Sequence, residues 1–347
     1  MKVAIVVLNY NGLNLLKIFI PQLIKNCLGL DFYVVDNGSD DDSVNYITNE
    51  YPNIKVITNE KNFGYAGGYN KSLNKINAEL FICLNNDATF IDKKSVNNII
   101  EVFKKNPEIV AAQPRIINYT NRKIFDYAGA SGGFIDLFGY PFCRGRIFTE
   151  IEDVTKYSTT REIFWASGCC LVIRKSSFNS VNGFDSSFFA HMEEIDLCWR
   201  IENLQKGYKK KFIHNCTVYH LGGGSLDYND PKKLFYNVRN HKWMLIKNTN
   251  ESYTYNLNPF SVFTVITWIN FLFVLNNLLS LKFFHSIEII KGYFSVRGVK
   301  DGKTINLDHN YYLLRSDNKK PKYYVIYSII YNYLILRKRK FSELNKE

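Results

Sequence analysis

Asp87 closes the run Leu84-Asn85-Asn86-Asp87, a carboxylate set directly behind an apolar segment, and is the best candidate to hold a divalent cation between two phosphates. Mg2+ or Mn2+ carried by a nucleotide takes only one or two protein carboxylates, so one Asp is chemically sufficient. His220, in Tyr219-His220-Leu221-Gly222-Gly223, is a second candidate ligand, although a histidine in such a place has many structural uses. Glu193-Glu194-Ile195-Asp196 gathers carboxylates where a helical pattern begins, and acids there suit the positive end of the helix dipole. Arg200 lies four residues beyond Asp196 and can pair with it across one turn, which leaves Glu193 or Glu194 for a cleft. Spacing does not choose between these two.

Asp36, in Val34-Val35-Asp36-Asn37-Gly38-Ser39, can accept from a ribose hydroxyl or a base N–H, and simple helix capping is the structural alternative. Gly64, Gly67 and Gly68, within Asn62–Asn70, would let backbone approach a phosphate or sugar closely. Their spacing is neither that of a dinucleotide fingerprint nor of a Walker loop.

These residues need elements to hold them. Val3–Leu8, Phe32–Val35, Lys55–Ile57 and Leu80–Leu84 read as buried strands, with Leu13–Asn26, Asp41–Glu50 and Gly67–Ile76 as helices between them. Such alternation predicts an α/β fold with a mostly parallel central sheet, whose ligands bind at the carboxyl ends of the strands. Those ends are polar: Asn9-Tyr10-Asn11-Gly12, Asp36–Ser39, Asn62–Gly68 and Asn85–Asp87 would converge on one cleft. Further on, 99–117 reads as helix then strand, 125–148 as loops or hairpins, and 163–173 as a strand broken at Ser167-Gly168. Helices are expected over 193–205 and 232–247, with a strand over 211–219.

The formal net charge of +12 is concentrated at the C-terminus, where residues 282–347 hold 14 Lys and Arg against 6 Asp and Glu, leaving +8. Aromatic and aliphatic residues interleave with this charge, which places an anionic membrane surface ahead of nucleic acid as partner. From Ser252 to Leu281 no residue is charged, but Asn256, Asn258, Asn270, Asn276 and Asn277 interrupt the run. Asparagine is costly in hydrocarbon, so the expected order is interfacial helices, then a buried helical pair, then a true span. Seven cysteines without a CxxC pair read as reduced, buried thiols. Met1-Lys2 leads straight into a short β-rich run unlike an export signal, so the expected location is cytoplasmic, peripheral at the inner face of the membrane.

In order and spacing over roughly residues 3–242, the chain resembles family-2 glycosyltransferases of the GT-A fold, in their rhamnosyltransferase-like branch. The matching blocks are Val34–Ser39, Asn62–Asn70, Leu84–Asp87, Ser167–Arg174, Gly183-Phe184-Asp185, Glu193–Arg200 and His220–Gly223. The resemblance implies a GT-A nucleotide-diphospho-sugar transferase domain over 1–247, with a donor half of about 1–117 and an acceptor half of about 118–247. A helical, membrane-associated appendage would follow over 248–347.

It also implies roles. Asp36 would bind the donor base or ribose, helped by the Asn9–Asn11 turn, with Asn62 and Gly64 along the nucleotide. Asp87 would bind Mg2+ or Mn2+ as the last carboxylate of a DXD-like motif, with His220 completing the metal or diphosphate site. Gly168 would floor the donor sugar with Trp165 at its border, and Asn86 and Glu193 are counted with the substrate-binding residues. The chain departs from the pattern where many relatives have Glu-Asp, since Glu194 stands in place of the Asp that serves as base.

The expected reaction is inverting transfer of a hexosyl group, rhamnose as first guess, from a nucleotide-diphosphate sugar to a hydroxyl of a saccharide or lipid-linked acceptor. This places the chain in cell-surface polysaccharide synthesis. A sugar nucleotidyltransferase is disfavoured because Asn9-Tyr10-Asn11-Gly12 carries no cation. A non-catalytic donor-binding protein is disfavoured by the retained Asp87, Glu194 and His220.

Overall fold

The computed structural model describes residues 1–204, 207–222, 230–248, 259–295 and 327–344. The chain begins with β1 (Val3–Asn9), α1 (Leu13–Asn26), β2 (Asp31–Asp36), α2 (Ser43–Glu50), β3 (Lys55–Thr58), α3 (Gly64–Leu73) and β4 (Leu80–Asn85). β3, β2, β1 and β4 lie side by side and parallel. Along β1, Ala4 and Val6 enter one hydrophobic cluster while Val3, Ile5 and Val7 enter another. A strand covered on both faces has to be apolar at every position, which is why these segments read as unbroken runs.

β5 (Ala88–Phe90), α4 (Lys93–Lys105) and β6 (Ile109–Asn118) come next. A separate four-stranded antiparallel sheet comprises β7 (Gly133–Ile135), β8 (Pro141–Cys143), β9 (Arg146–Ile147) and β10 (Glu150–Ile151), in the stretch read from sequence as hairpins. The chain then returns to the main sheet as β11 (Arg161–Glu162) and β12 (Cys170–Arg174), continues through α5 (Lys175–Ser180) and α6 (Glu193–Leu204), and re-enters the sheet as β13 (Lys209–His220). The main sheet runs β11-β13-β6-β12-β4-β1-β2-β3 with β5 on β13. β12, β11 and β5 run against the other strands, so the sheet is mixed and mostly parallel. The expected donor and acceptor halves thus share one sheet.

Two helix starts differ from the sequence reading. α3 begins at Gly64 rather than Gly67, just after a turn in which Asn62 Oδ1 accepts from the Gly64 amide at 2.8 Å. α2 begins at Ser43 because Asp41 turns its carboxylate to two amides, Leu13 at 2.9 Å and Ser43 at 3.1 Å.

α7 (Pro231–Asn248) packs beside α6 and holds the segment that leads into it. Asn240 Nδ2 donates to the carbonyls of Phe188, Ala190 and His191 at 3.0, 2.7 and 2.7 Å. Arg239 Nη2 donates to Ser187 and Phe188, both at 2.8 Å. Phe189, His191 and Met192 all have positive φ, at 62°, 69° and 70°. Non-glycine residues adopt that region at a cost, and here the surrounding bonds impose it.

One turn further, Asp196 is fully buried and accepts from Arg200 Nε at 2.7 Å and Asn248 Nδ2 at 2.8 Å. Lys247 Nζ lies 3.0 Å from the same carboxylate and donates to Asp185 Oδ2 at 2.6 Å. The expected Asp196–Arg200 pair is thus part of a buried charge network.

Beyond α7 the described chain resumes with α8 (Pro259–Leu279) and α9 (Phe283–Ser295), a helical hairpin in which α9 lies against α7. Only 11% of residues 262–279 are buried, so α8 does not belong to a buried helical pair. Asn270 and Asn277 donate to Ile266 and Phe273 carbonyls one turn back, at 3.0 and 2.8 Å, which lowers the polarity they show outward. Residues 327–344 return to the small sheet. There Ile329 N donates to Asp136 Oδ2 at 2.9 Å, Ser342 Oγ to Glu152 Oε1 at 2.6 Å, and the Phe341 ring sits 5.4 Å from that of Phe134.

Two outcomes test the role of α7. Lys247→Met removes a cation from between the buried Asp196 and the half-buried Asp185 and should cost roughly 3–5 kcal/mol in denaturant unfolding at neutral pH. Burial alone would push the Asp185 carboxyl up, but Lys247 and Ser187 hold it down at about 2. Its stabilising share is therefore full above the unfolded value near 4 and is lost as pH falls toward about 2, a slope that Lys247→Met should flatten. Asn240→Leu keeps the volume and removes the amide that makes the three contacts, so amide hydrogen exchange should rise over residues 187–192 while the strands of the main sheet stay protected. Unchanged exchange there would mean that Asn240 is not what holds the loop.

Candidate active site

Strand register builds the site. Asn9 pairs with Asp36 across β1 and β2, and Leu8 pairs with Asn85 across β1 and β4, so three polar strand ends share one edge. β13 reaches the same edge from the other side through a bulge, since Ile213 pairs with Pro114 but Thr217 pairs with the next residue, Arg115. The odd insertion re-aims the last residues of the strand and brings His220 opposite Ala88, next to Asp87. Leu221 N donates to the Asp87 carbonyl at 3.0 Å and closes the junction.

His220 Nε2 lies 3.1 Å from Asp87 Oδ1, and Nδ1 lies 2.9 Å from Asp126 Oδ1. Asn85 Nδ2 is 3.4 Å from the same Nε2. Burial opposes a charged ring, but Cys169, Asp126 and Asp87 outweigh it and raise the His220 pKa well above its usual value. Asp87 Oδ1 is buried and has no aligned hydrogen bond despite this proximity. A hard divalent ion with ligands at about 2.0–2.1 Å needs adjacent ligands roughly 3 Å apart, so an unpartnered carboxylate oxygen beside an imidazole nitrogen fits such an ion. Among the described residues no three His, Cys, Asp or Glu cluster as a complete metal site, so further ligands would have to come from the ion's own substrate or water.

On the donor side, Asp36 is buried and closes a tight turn: Ser39 N donates to its Oδ2 at 2.9 Å and Ser39 Oγ to its Oδ1 at 2.5 Å. Asn9 Nδ2 adds a contact to Asp36 at 3.2 Å, and Asn86 Nδ2 donates to Asn9 Oδ1 at 2.9 Å. Asn11, at φ 46°, accepts from the Asp40 amide at 2.8 Å. Asn62 Oδ1 accepts from the Gly64 amide at 2.8 Å and from Asn37 Nδ2 at 3.0 Å. The site residues of this half are thus joined in one polar lattice. Asn37, which lies in the Val34–Ser39 block but carries no expected role of its own, is a buried node of it and bonds Asn59 and Gly64 as well.

The glycines of α3 make room for neighbouring protein atoms. A Cβ on Gly64, at φ +71°, would lie 2.2 Å from the Phe189 carbonyl, one on Gly67 would meet Phe63, and one on Gly68 would meet Leu8. Trp165 is buried, donates to the Phe134 carbonyl at 2.8 Å and packs its ring against Gly133, so its indole N–H is already satisfied.

Glu193 and Glu194 open α6 beyond the left-handed loop. Each has a buried Oε2 without a hydrogen-bond partner, unlike Asp196 in the same turn. Burial, then the Glu194 charge, pushes the Glu193 carboxyl well above the usual range. Burial also raises Glu194, with opposition from backbone amides that include Gly168. Gly168 therefore ties the halves together: its carbonyl accepts from Tyr65 Oη at 2.7 Å, its amide faces Glu194, and its neighbour Cys169 contacts the His220 ring. Asp126 and Tyr65 belong to the site without a sequence signal of their own. Gly223–Ser225, in the glycine run after His220, lie outside the described residues.

Comparison with known proteins bears on the family and the fold. The N-acetylglucosaminyl-diphospho-decaprenol L-rhamnosyltransferase of Mycobacterium tuberculosis is 24% identical over 203 residues, covering 54% of this chain and 65% of that protein. The low-salt glycan biosynthesis hexosyltransferase Agl10 of Haloferax volcanii is 27% identical over 226 residues, covering 62% and 67%. The chain thus spans about two thirds of the length of these relatives. Two solved structures share the fold: GalNAc-T7 with UDP, GalNAc and Mn2+, and the Pyrobaculum calidifontis mannosyltransferase PcManGT with GDP-Man and Mn2+. Their TM-scores are 0.54 and 0.53 at 16% and 12% identity, covering 71% and 86% of this chain and 48% and 88% of theirs. The fold is accordingly of the GT-A type. The family model for glycosyl transferase family 2 matches residues 4–181, half of the sequence, and the chain belongs to that family.

Proposed function

We infer that this chain is an inverting glycosyltransferase that moves a sugar from a nucleoside-diphosphate donor to an acceptor hydroxyl in surface polysaccharide synthesis. The observation that carries this reading is the meeting, across Gly168-Cys169, of the Asp87–His220 pair, whose Asp87 Oδ1 has no hydrogen bond, with two glutamates that each have a buried Oε2 without one. The family and the curated relatives support the reaction class, and the relatives' names make rhamnose the first sugar to try and a lipid-linked saccharide the first acceptor. Residues 1–247 would form the catalytic unit.

Asp36, Asn9, Asn11, Asn62 and Gly64 would frame the nucleotide, and Asn86, Gly168 and Trp165 the donor-sugar side. Asp87 and His220 would hold Mg2+ or Mn2+, which when bound offsets the charge of the departing diphosphate. Glu194 takes the proton of the acceptor hydroxyl while that oxygen bonds to the anomeric carbon and the bond to diphosphate breaks, so configuration inverts. Glu193 would orient the acceptor. Burial suits a base, since a carboxylate with a raised pKa accepts a proton more readily.

α8 and α9 carry the membrane reading. Trp268, Phe271, Leu272, Leu279, Phe283 and Phe284 are all more than half exposed, and Lys282 sits between the helices. Apolar surface of this extent, close to cations, suits the interface of an anionic bilayer. We assign the protein to the inner membrane face, attached through this hairpin.

A screen of nucleotide sugars should find one whose transfer needs Mg2+ or Mn2+. With it, Glu194→Gln should keep donor binding and lose about 10²–10⁴-fold in turnover. The acid limb of kcat/KM should lie above the ordinary glutamate value near 4.3 and be absent in Glu194→Gln, because activity falls as the raised carboxyl gains its proton. Near-normal turnover in Glu194→Gln alongside loss in Glu193→Gln would move the base to Glu193; donor binding without turnover by the unaltered protein would reject transfer. In flotation, the full chain should rise with vesicles containing anionic lipid, less so in high salt, and Leu272→Asp with Leu279→Asp should remain in the pellet. Equal flotation by that variant would rule out the hairpin as anchor.

A further inference from the structure

Asp126 stands alone between Phe125 and Tyr127 and matches no motif, yet it is buried to 2% exposure against the ring of His220. We propose that Asp126 is a positioning residue whose carboxylate holds Nδ1–H of His220, so that Nε2 is the nitrogen that gives up its proton and turns its lone pair to a divalent cation held beside Asp87. The inference rests on the metal reading of the Asp87–His220 pair.

The geometry is specific. Asp126 is itself fixed: its amide donates to the Ile116 carbonyl at 3.1 Å, its Oδ1 accepts from the Ala128 amide at 2.9 Å, and its Oδ2 from Asn118 Nδ2 at 3.3 Å. Oδ1 then lies 2.9 Å from Nδ1 of His220. A neutral imidazole carries one proton on either nitrogen, and only the form protonated at Nδ1 presents Nε2 as a ligand. A carboxylate on Nδ1 selects that form, orients the ring and raises its basicity, and such partners are worth about 10–100-fold in metal affinity. The bulge in β13 places the ring and Asp126 keeps it in line, so the two constraints are independent.

The test titrates the full-length protein with Mn2+ alone, following the free ion by electron paramagnetic resonance. Thermal melting checks the fold of each variant. Wild type should bind and Asp87→Ala should not. Asp126→Ser, too short to reach the ring but able to accept from the Ala128 amide, should weaken binding about 10–100-fold. Asp126→Leu should do the same and replaces the Ser variant if that one does not fold. Asp126→Asn, whose amide oxygen still accepts from Nδ1–H, should recover most of the affinity. Wild-type affinity in folded Asp126→Ser overturns the inference and leaves the metal reading standing, as does equal loss in the Asn and Ser variants, which would mark a charge effect without orientation. No Mn2+ binding by wild type, or full binding by Asp87→Ala, overturns the metal reading and this inference with it.

Discussion

Asp196 carries a charge into the interior, and an ionised carboxylate there is tolerable only when it is surrounded by donors and cations. Arg200, Lys247 and Asn248 supply them from two helices, and Lys247 reaches on to Asp185. This network holds the first turn of α6 against the last turn of α7 and against the turn after α5. The segment between Asp185 and Glu193 is consequently short and pinned at both ends, and it crosses the gap with three left-handed non-glycine residues. Backbone in that conformation persists only when its surroundings overdetermine it, as the donors of Arg239 and Asn240 do. Within one helical turn Asp196 is satisfied and anchors the helix, while Glu193 and Glu194 each keep a buried Oε2 without a hydrogen-bond partner.

Much of this was legible in the sequence because parallel strands must be apolar throughout and can turn polar only where they leave the sheet. The polar tails after Leu8, Val35 and Leu84 thus mark the site edge by residue type alone, and the register of β1 with β2 and β4 brings those tails together. Asp126 was not legible, since a single acid in a glycine- and aromatic-rich hairpin region has no periodicity to give it a face. Its meeting with His220 depends on pairing between residues 94 positions apart and on a bulge that no local pattern announces. Gly64, Gly67 and Gly68 were visible as a demand for close approach, but sequence could not say to what. The answer is Phe189, Phe63 and Leu8, which makes them packing glycines that let α3 sit against the sheet and the loop before α6.

The uncharged stretch after residue 252 shows the limit of composition from the other side. Its asparagines argued against hydrocarbon, but a side-chain amide that donates to the carbonyl one turn back presents less unmet polarity, as Asn270 and Asn277 do. Composition counts the amide; only the helix shows where it points. The exposure of Trp268, Leu272 and Leu279 then becomes the informative quantity, because a helix of a soluble core would have turned these residues inward.

α7 connects the catalytic loop to the hairpin. One face gives Arg239 and Asn240 to the loop before Glu193, and the other receives α9, where a Cβ on Gly292 would stand 2.7 Å from the Phe235 carbonyl. Lys242 extends the same contact, lying 4.0 Å from the centre of the Tyr293 ring and within 3.4 Å of that residue's carbonyl. A helix is stiff along its axis, so a surface that takes hold of the hairpin fixes α7, and α7 fixes the loop that carries the two glutamates. An acceptor tethered in a bilayer has few orientations in which its hydroxyl can meet a base. On the proposed reading, bracing that base through the same helix that seats the hairpin would set the angle between cleft and surface once, in the fold, rather than at each encounter.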